Sequence, residues 1–255
     1  MDERIAQHCA ELNRCNQRGG RMLSVLDLLD AGTLDLDLAA FLMARIARGA
    51  SFMVGARPGG AGKTTVMCAL LNLVPADVPL AAATAQAVRS ASEDSVRRCY
   101  ICHEIGSGPY FAYLWGHDLR AYAALGRQGH ILATNLHADD RDETFGQVCE
   151  DNGVPEEDFS AFDLLVYLRV GGGWSNRRHW IETVSVSDGV QRHVEVFNTQ
   201  SGLHPERAPG SHDAAWTAAC RAFIEELCRS DVRAIEDVRP RVVEFLKNSP
   251  SYKST

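Results

Sequence analysis

The chain has 255 residues, 45% of them hydrophobic, enough for one sizeable domain with small additions or for two small ones. A formal net charge of −7 and a pI of about 5.7 argue against a protein built to coat nucleic acid, without excluding a local basic groove. The charged start Met1-Asp2-Glu3-Arg4 leads into no apolar segment, so no secretory signal peptide is expected. No apolar run approaches the roughly 20 residues of a membrane helix. The 8 cysteines lack a disulfide-framework spacing and suit a reducing cytosol, so a cytoplasmic protein is expected.

Residues 2–16 read as an amphipathic helix with Ile5, Cys9 and Leu12 on one face, ended by Gly19-Gly20. His8, Cys9 and Cys15 have no fourth donor nearby to complete a tetrahedral metal site, which favours simple packing. Ser24 is placed to cap a short helix that Gly32 closes. Asp35 or Asp37 opens the next, with Leu38, Phe41, Leu42 and Ile46 at helical spacing.

The apolar run Ser51-Phe52-Met53-Val54 then leads into Gly55-Ala56-Arg57-Pro58-Gly59-Gly60-Ala61-Gly62-Lys63-Thr64-Thr65, and Val66 to Leu71 continue as a helix. Strand, glycine-rich loop and helix in that order form a P-loop. Its glycines let successive backbone N–H groups wrap an anion, and the helix adds its positive N-terminal end. Gly59, Gly60, Ala61, Gly62, Lys63, Thr64 and Thr65 are therefore the candidate ATP-binding residues. Lys63 would bridge the outer phosphates and the Thr64 hydroxyl would hold Mg2+. The first glycine of G-x-x-x-x-G-K-[ST] falls at Arg57. Either that position tolerates another residue, or two extra residues follow Gly55.

Beyond the loop, Leu80 to Thr84 read as a strand and Arg89 to Arg98 as polar and exposed. Cys99-Tyr100-Ile101-Cys102 is a compact apolar strand ending in His103-Glu104, the shape of a Walker B element that delivers a carboxylate to the carboxyl edge of a sheet. Cys99-x-x-Cys102 is half of a zinc spacing with no second pair, so two buried thiols are favoured. Residues 110–128, rich in Tyr, Phe, Trp and Leu, read as an apolar helix or helix pair. His130 to Asn135 form the next strand, followed by Leu136-His137-Ala138-Asp139-Asp140 and a helix over residues 142–151. Taken alone, His137 reads as a strand cap, and Asp139 and Asp140 as helix caps.

Leu164 to Val170 form a further strand. Residues 180–187 and 190–197 alternate around Asp188-Gly189, a hairpin signal that adds antiparallel strands to an otherwise parallel sheet. Residues 198–211 read as loop, and the tail from Asp213 as helix, interrupted at Pro240. Residues 249–255 are expected to be disordered.

This order resembles the type II/type IV secretion ATPases, and within them the tight-adherence pilus and conjugation-type branch. The resemblance covers residues 22–197. It rests on Leu26 to Leu34, Arg48-Gly49-Ala50-Ser51, the P-loop, His103-Glu104-Ile105, Gly129-His130, the His box Thr134-Asn135-Leu136-His137-Ala138-Asp139, and Arg177-Arg178 with the hairpin. It implies an α/β, RecA-like P-loop NTPase: a mainly parallel sheet with helices on both faces, a C-terminal β-hairpin and a helical tail. The corresponding division is an N-terminal helical segment at 1–50, an ATPase core at 51–200 and a C-terminal helical tail at 201–255. It further implies that Glu104 polarises the attacking water or supports Mg2+, and that His137 senses the γ-phosphate or couples hydrolysis to subunit motion. Family members form hexameric rings with ATP sites between subunits. The implied partners are further copies of the chain or a paralogue in a mixed ring, and a membrane-embedded secretion or pilus platform, with the protein peripheral at the inner membrane face and no nucleic acid involved.

The chain departs from the family in several places. Only 40 positions separate Lys63 from His103, the strand before Thr84 ends without a carboxylate where an Asp box is usual, and one helix stands where a larger N-terminal domain is common. Arg89, Arg97 and Arg98 are the available substitutes for phosphate-reaching arginines. Three functions are open: a motor-type subunit that hydrolyses ATP, a nucleotide-binding regulatory or structural subunit with little or no hydrolysis, or a P-loop kinase or nucleic-acid-processing ATPase, for which no acceptor base or lid arginines can be assigned uniquely.

Overall fold

A computed structural model describes the chain except for residues 1, 17, 18, 92–95, 174, 175, 211, 212, 250, 251 and 253–255. The chain folds into two compact units, both discontinuous in sequence: a helical unit of Met1–Gly49, Thr64–Val78 and Ser211–Thr255, and a sheet unit of Ala50–Lys63 and Pro79–Gly210.

In chain order the elements begin with helices α1 (Glu3–Arg14), α2 (Val25–Asp30) and α3 (Leu36–Ile46). Strand β1 (Phe52–Gly55) and helix α4 (Lys63–Leu71) flank the glycine-rich loop, and β2 (Leu80–Ala82) and α5 (Ala85–Ala91) follow. Next come β3 (Cys99–Cys102), β4 (Glu104–Ile105), β5 (Tyr113–Leu114), α6 (Gly116–Arg127) and β6 (Ile131–Leu136). Helix α7 (Arg141–Phe145) runs into a π-turn, Gly146–Glu150, and α8 (Glu156–Ser160) precedes β7 (Leu164–Gly171). The last strands are β8 (Arg178–Val186), β9 (Val194–Asn198) and β10 (Gly202–Leu203), and the last helices α9 (Ala214–Cys228) and α10 (Ile235–Asn248).

The sheet unit holds all the described strands. Eight of them form one sheet in the order β10-β9-β8-β7-β1-β6-β3-β2. The five from β2 to β7 are parallel, and β8, β9 and β10 extend the sheet antiparallel. The fold is thus mixed α/β with a mainly parallel sheet, an antiparallel extension and C-terminal helices. Every residue of β1, β3 and β6 is buried, as continuous apolar runs in a parallel sheet require. On one face Met53, Tyr100, Cys102, Leu132 and Leu165 pack with Leu119, Tyr122 and Ala123 of α6, Val88 of α5 and Phe159 of α8. Cys99 and Cys102 lie three apart on one strand and so project to opposite faces, which keeps their thiols from sharing a metal. Burial pushes the Cys102 thiol up to about 12.

In the helical unit, Asp35 rather than Asp37 opens α3, its carboxylate accepting from Leu38 N–H at 2.8 Å. Trp216 of α9 donates from Nε1 to the Ala44 carbonyl of α3 at 2.9 Å and stacks on Phe245 of α10. Arg239 of α10 is 2% exposed and donates to the carbonyls of Asn72, Val74 and Pro75, just beyond α4.

Four expectations are corrected. Residues 110–115 are not helical: Ala112 takes a positive φ of 54°, Tyr113 and Leu114 pair with Glu104 and Ile105, and Tyr110, Phe111 and Trp115 are exposed. The helix starts only at Gly116, whose N–H the Asn152 side chain accepts at 2.6 Å. The hairpin lacks a two-residue turn. Asp188 folds the connection locally by accepting from Val190 and Gln191 N–H, so seven residues join β8 to β9, and β10 lies where only loop was expected. Helix α10 runs through Pro240 without interruption. Of the tail expected to be disordered, Ser249 closes α10 and Tyr252 lies 5.8 Å from the Trp216 ring; the rest is outside the described residues.

Candidate functional site

Parallel strands end on the same edge of a sheet, so the segments that follow β1, β3 and β6 leave from one side. Because β6 lies between β1 and β3, whatever follows β6 sits between the glycine-rich loop and the residues after β3. The candidate residues Lys63, His137 and Glu104 occupy those three segments.

The loop leaves β1 at Gly55, a position where a Cβ would lie 2.6 Å from the Ala138 carbonyl oxygen and 2.7 Å from the Tyr167 ring. Gly55 thus answers to the close approach of neighbouring segments. Gly60 and Gly62 take φ of 79° and 94°, left-handed conformations that suit glycine. Ala61 N–H turns back to the Pro58 carbonyl, and among the described residues no protein acceptor takes the N–H groups of Gly59, Gly60 and Gly62. Donors arranged this way fit the phosphate groups of a nucleotide.

Lys63, 7% exposed, opens α4. Its Nζ donates to the Ala56 carbonyl at 3.2 Å and lies 3.3 Å from Nδ1 and 3.4 Å from Nε2 of His137. Thr64 and Thr65 follow in the first turn of the same helix. Glu104 begins β4, past the bend at His103 that ends β3, and Asn135 of β6 fixes that bend by donating to the His103 carbonyl at 2.8 Å. His137 stands just past β6. Its Nδ1–H donates to the Arg57 carbonyl at 3.0 Å, since a carbonyl only accepts. Its Nε2 lies 2.5 Å from Glu104 Oε1. Glu104 is mostly buried and His137 half exposed, so the pair presents one open side.

Arg57, the residue in place of the first motif glycine, is held by the segment after β6 at three points. Its carbonyl accepts from His137, its N–H donates to Asp139 Oδ1 at 2.8 Å, and its guanidinium pairs with Glu143. Asp139 also pairs with Arg169 of β7 at 2.9 Å, and its N–H donates to Glu143. Only Asp140 acts as the helix cap, accepting from Glu143 N–H at 2.9 Å; Asp139 serves the loop instead.

Two of the three substitute arginines lie at the other edge of the sheet from Lys63. Arg97 donates to the Gly129 carbonyl, and Arg98 pairs its backbone with His130 and Ile131, all at the amino-terminal end of β3 and β6, the opposite edge of the sheet. Arg89 on α5 pairs with Asp118. Thr84, after β2, caps α5 by accepting from Ala87 N–H, and no carboxylate ends that strand.

One residue at the loop had no local signal in the sequence. His179, near the start of β8, donates from Nδ1 to the Ala61 carbonyl at 2.9 Å. It reaches the loop because β8 pairs with β7, which pairs with β1, a relationship set by sheet order.

Fold and site together define an α/β protein with a strand, glycine-rich loop and helix at the carboxyl edge of a mainly parallel sheet, faced by a Glu–His pair. No family model and no curated protein matches the chain. Among solved structures it is similar to the VirB11 ATPase of the Brucella suis type IV secretion system, crystallised with sulphate, at TM-score 0.45 and 20% identity over 64% of this chain and 54% of that one. It is also similar to the Legionella pneumophila ATPase DotB, at TM-score 0.42 and 14% identity over 79% of this chain and 57% of that one. The chain therefore spans little more than half the length of either.

Proposed function

We propose that the chain binds ATP with Mg2+ and hydrolyses it as a motor-type subunit resembling the secretion and pilus-assembly ATPases. The observation that carries this reading is the meeting of Lys63, Glu104 and His137 across three parallel strand ends. In it, the amides of Gly59, Gly60 and Gly62 and the Lys63 ammonium hold the phosphates, and Thr64 supplies the hydroxyl ligand for Mg2+. The bound ion would neutralise charge on the phosphate oxygens. Glu104 orients and deprotonates the attacking water, and His137, in contact with both Lys63 and Glu104, registers the terminal phosphate. The assembly in this reading is a ring of identical chains or a mixed ring with a paralogue, acting on a membrane-embedded secretion or pilus platform from the inner face. No helix among the described residues is long and apolar enough to cross a membrane.

A second reading is favoured by one observation. The strand end after β2 carries Thr84 in place of a carboxylate, and Arg97 donates to the Gly129 carbonyl at the opposite edge of the sheet. That set suits a nucleotide-binding regulatory subunit with little turnover.

Steady-state phosphate release across protein concentrations, beside equilibrium binding of Mg–ATP, separates the two. Release that rises more than linearly with concentration is expected for a motor whose sites lie between subunits. Binding without release overturns the motor and leaves the regulatory subunit. Binding that survives Lys63→Ala unchanged overturns both.

A further inference from the structure

We propose that His179 is a positioning residue for the glycine-rich loop: by holding the Ala61 carbonyl it fixes the Ala61–Gly62 peptide so that the Gly62 N–H is presented to the phosphates. The inference rests on the nucleotide-binding reading above and adds to it a residue outside the loop and its flanking strands.

The Ala61–Gly62 peptide is the one most in need of a hold. Gly62 has a φ of 94°, and glycine crosses between positive and negative φ at little cost. A flip of this peptide plane would turn the Ala61 carbonyl toward the anion and the Gly62 N–H away from it, replacing attraction by repulsion. In a trans peptide the two groups point in opposite directions, so fixing one fixes the other. His179 fixes the carbonyl. Its Nδ1 lies 2.9 Å from the Ala61 oxygen and must donate, because a carbonyl only accepts. The Gly62 N–H is thereby directed away from His179, and no protein acceptor among the described residues takes it. A Cβ built on Gly62 would lie 3.7 Å from the same Nδ1, so the imidazole packs directly against this peptide.

His179 itself is carried on a rigid support. It pairs with Val170 across the β7–β8 ladder, and β7 pairs in parallel with β1, from which the loop departs. The hydrogen bond thus ties the far end of the loop to the same sheet that holds its near end. The half-buried imidazole also shields the bond from competing water.

The test uses the full chain with a non-hydrolysable ATP analogue and Mg2+, and compares wild type, His179→Ala, His179→Asn and Lys63→Ala. Asn presents its amide N–H near the position of Nδ1, so it restores the donor without the ring. His179→Ala is expected to weaken binding about tenfold and His179→Asn to recover it to within about threefold, the scale of one hydrogen bond. In nucleotide-free protein the Gly62 amide resonance should shift in His179→Ala and return in His179→Asn. Wild-type affinity in His179→Ala, or no recovery in His179→Asn, overturns the proposal. If wild type fails to bind, or Lys63→Ala binds as well as wild type, the nucleotide reading falls instead; an unchanged Gly62 amide in His179→Ala then removes the peptide lock as well.

Discussion

Nε2 of His137 lies 2.5 Å from Oε1 of Glu104, although 33 positions separate them, with β5, α6 and β6 between. The contact joins the carboxylate to the imidazole on the edge where Lys63 also lies. Under the proposed function, Glu104→Gln keeps shape and hydrogen bonding but removes the general base. It should leave Mg–ATP binding within about threefold and lower turnover by roughly 10²–10⁴-fold, the usual scale for a lost general base. Phosphate release at saturating ATP checks this, and undiminished release would take Glu104 out of the mechanism.

The three holds on Arg57 differ in weight. The ion pair with Glu143 is largely solvent-exposed on the arginine side, so Glu143→Gln should cost less than about 1 kcal/mol. Asp139 takes both the Arg57 N–H and Arg169, so Asp139→Ala removes two partly exposed contacts at once and should cost about 1–1.5 kcal/mol. Urea denaturation of the two variants should rank them in that order.

At Gly55 the obstacle is backbone, the Ala138 carbonyl, together with the Tyr167 ring. Neither can swing aside as a flexible side chain would. Gly55→Ala should therefore destabilise by about 1–3 kcal/mol or prevent accumulation of folded protein. A midpoint equal to wild type would show that the strand end can shift.

Burial lowers His193 to about 4, while the Phe162 carbonyl, accepting from its Nε2–H, pulls the other way. Burial first, and Arg239 second, hold His8 well below its ordinary value. Both groups are neutral in the folded protein where the unfolded chain binds a proton. Stability from them is full above pH about 6.5 and is lost as pH falls. For His193 the loss continues to about pH 4 and amounts to roughly 3 kcal/mol, taking about 1.4 kcal/mol for each pH unit between the two values. His193→Gln should flatten that slope in denaturation curves between pH 6.5 and 4; an unchanged slope would place the titration elsewhere.

Arg239 spreads one buried cation over three carbonyls that follow α4. Arg239→Met fills similar space but leaves those acceptors unmet. It should lower stability by at least about 2 kcal/mol, read from the shift in urea midpoint at constant slope.

Much of the site was legible locally. Glycines before Lys63, an apolar strand before Glu104 and another before His137 follow from short-range patterns, because strand burial and turn geometry leave their mark on adjacent residues. Residues 110–115 were misread for the same reason. Their aromatic content looks like a helix face, while a positive φ at Ala112 and pairing with Glu104 and Ile105 are set by partners elsewhere in the chain. Likewise Asp139 looked like a cap beside Asp140, and only Arg57 and Arg169 reveal its different use.

The sequence by itself determined the glycine-rich loop and the polar residues at the ends of strands, since each depends on neighbours within a few positions. Only the tertiary structure decided that β6 lies between β1 and β3, which is what sets His137 between Lys63 and Glu104. It also brought His179 to the loop through two strand pairings and moved Arg97 and Arg98 to the opposite edge. Strand order is fixed by long-range pairing and by how the faces bury, and neither leaves a periodicity to read along the chain.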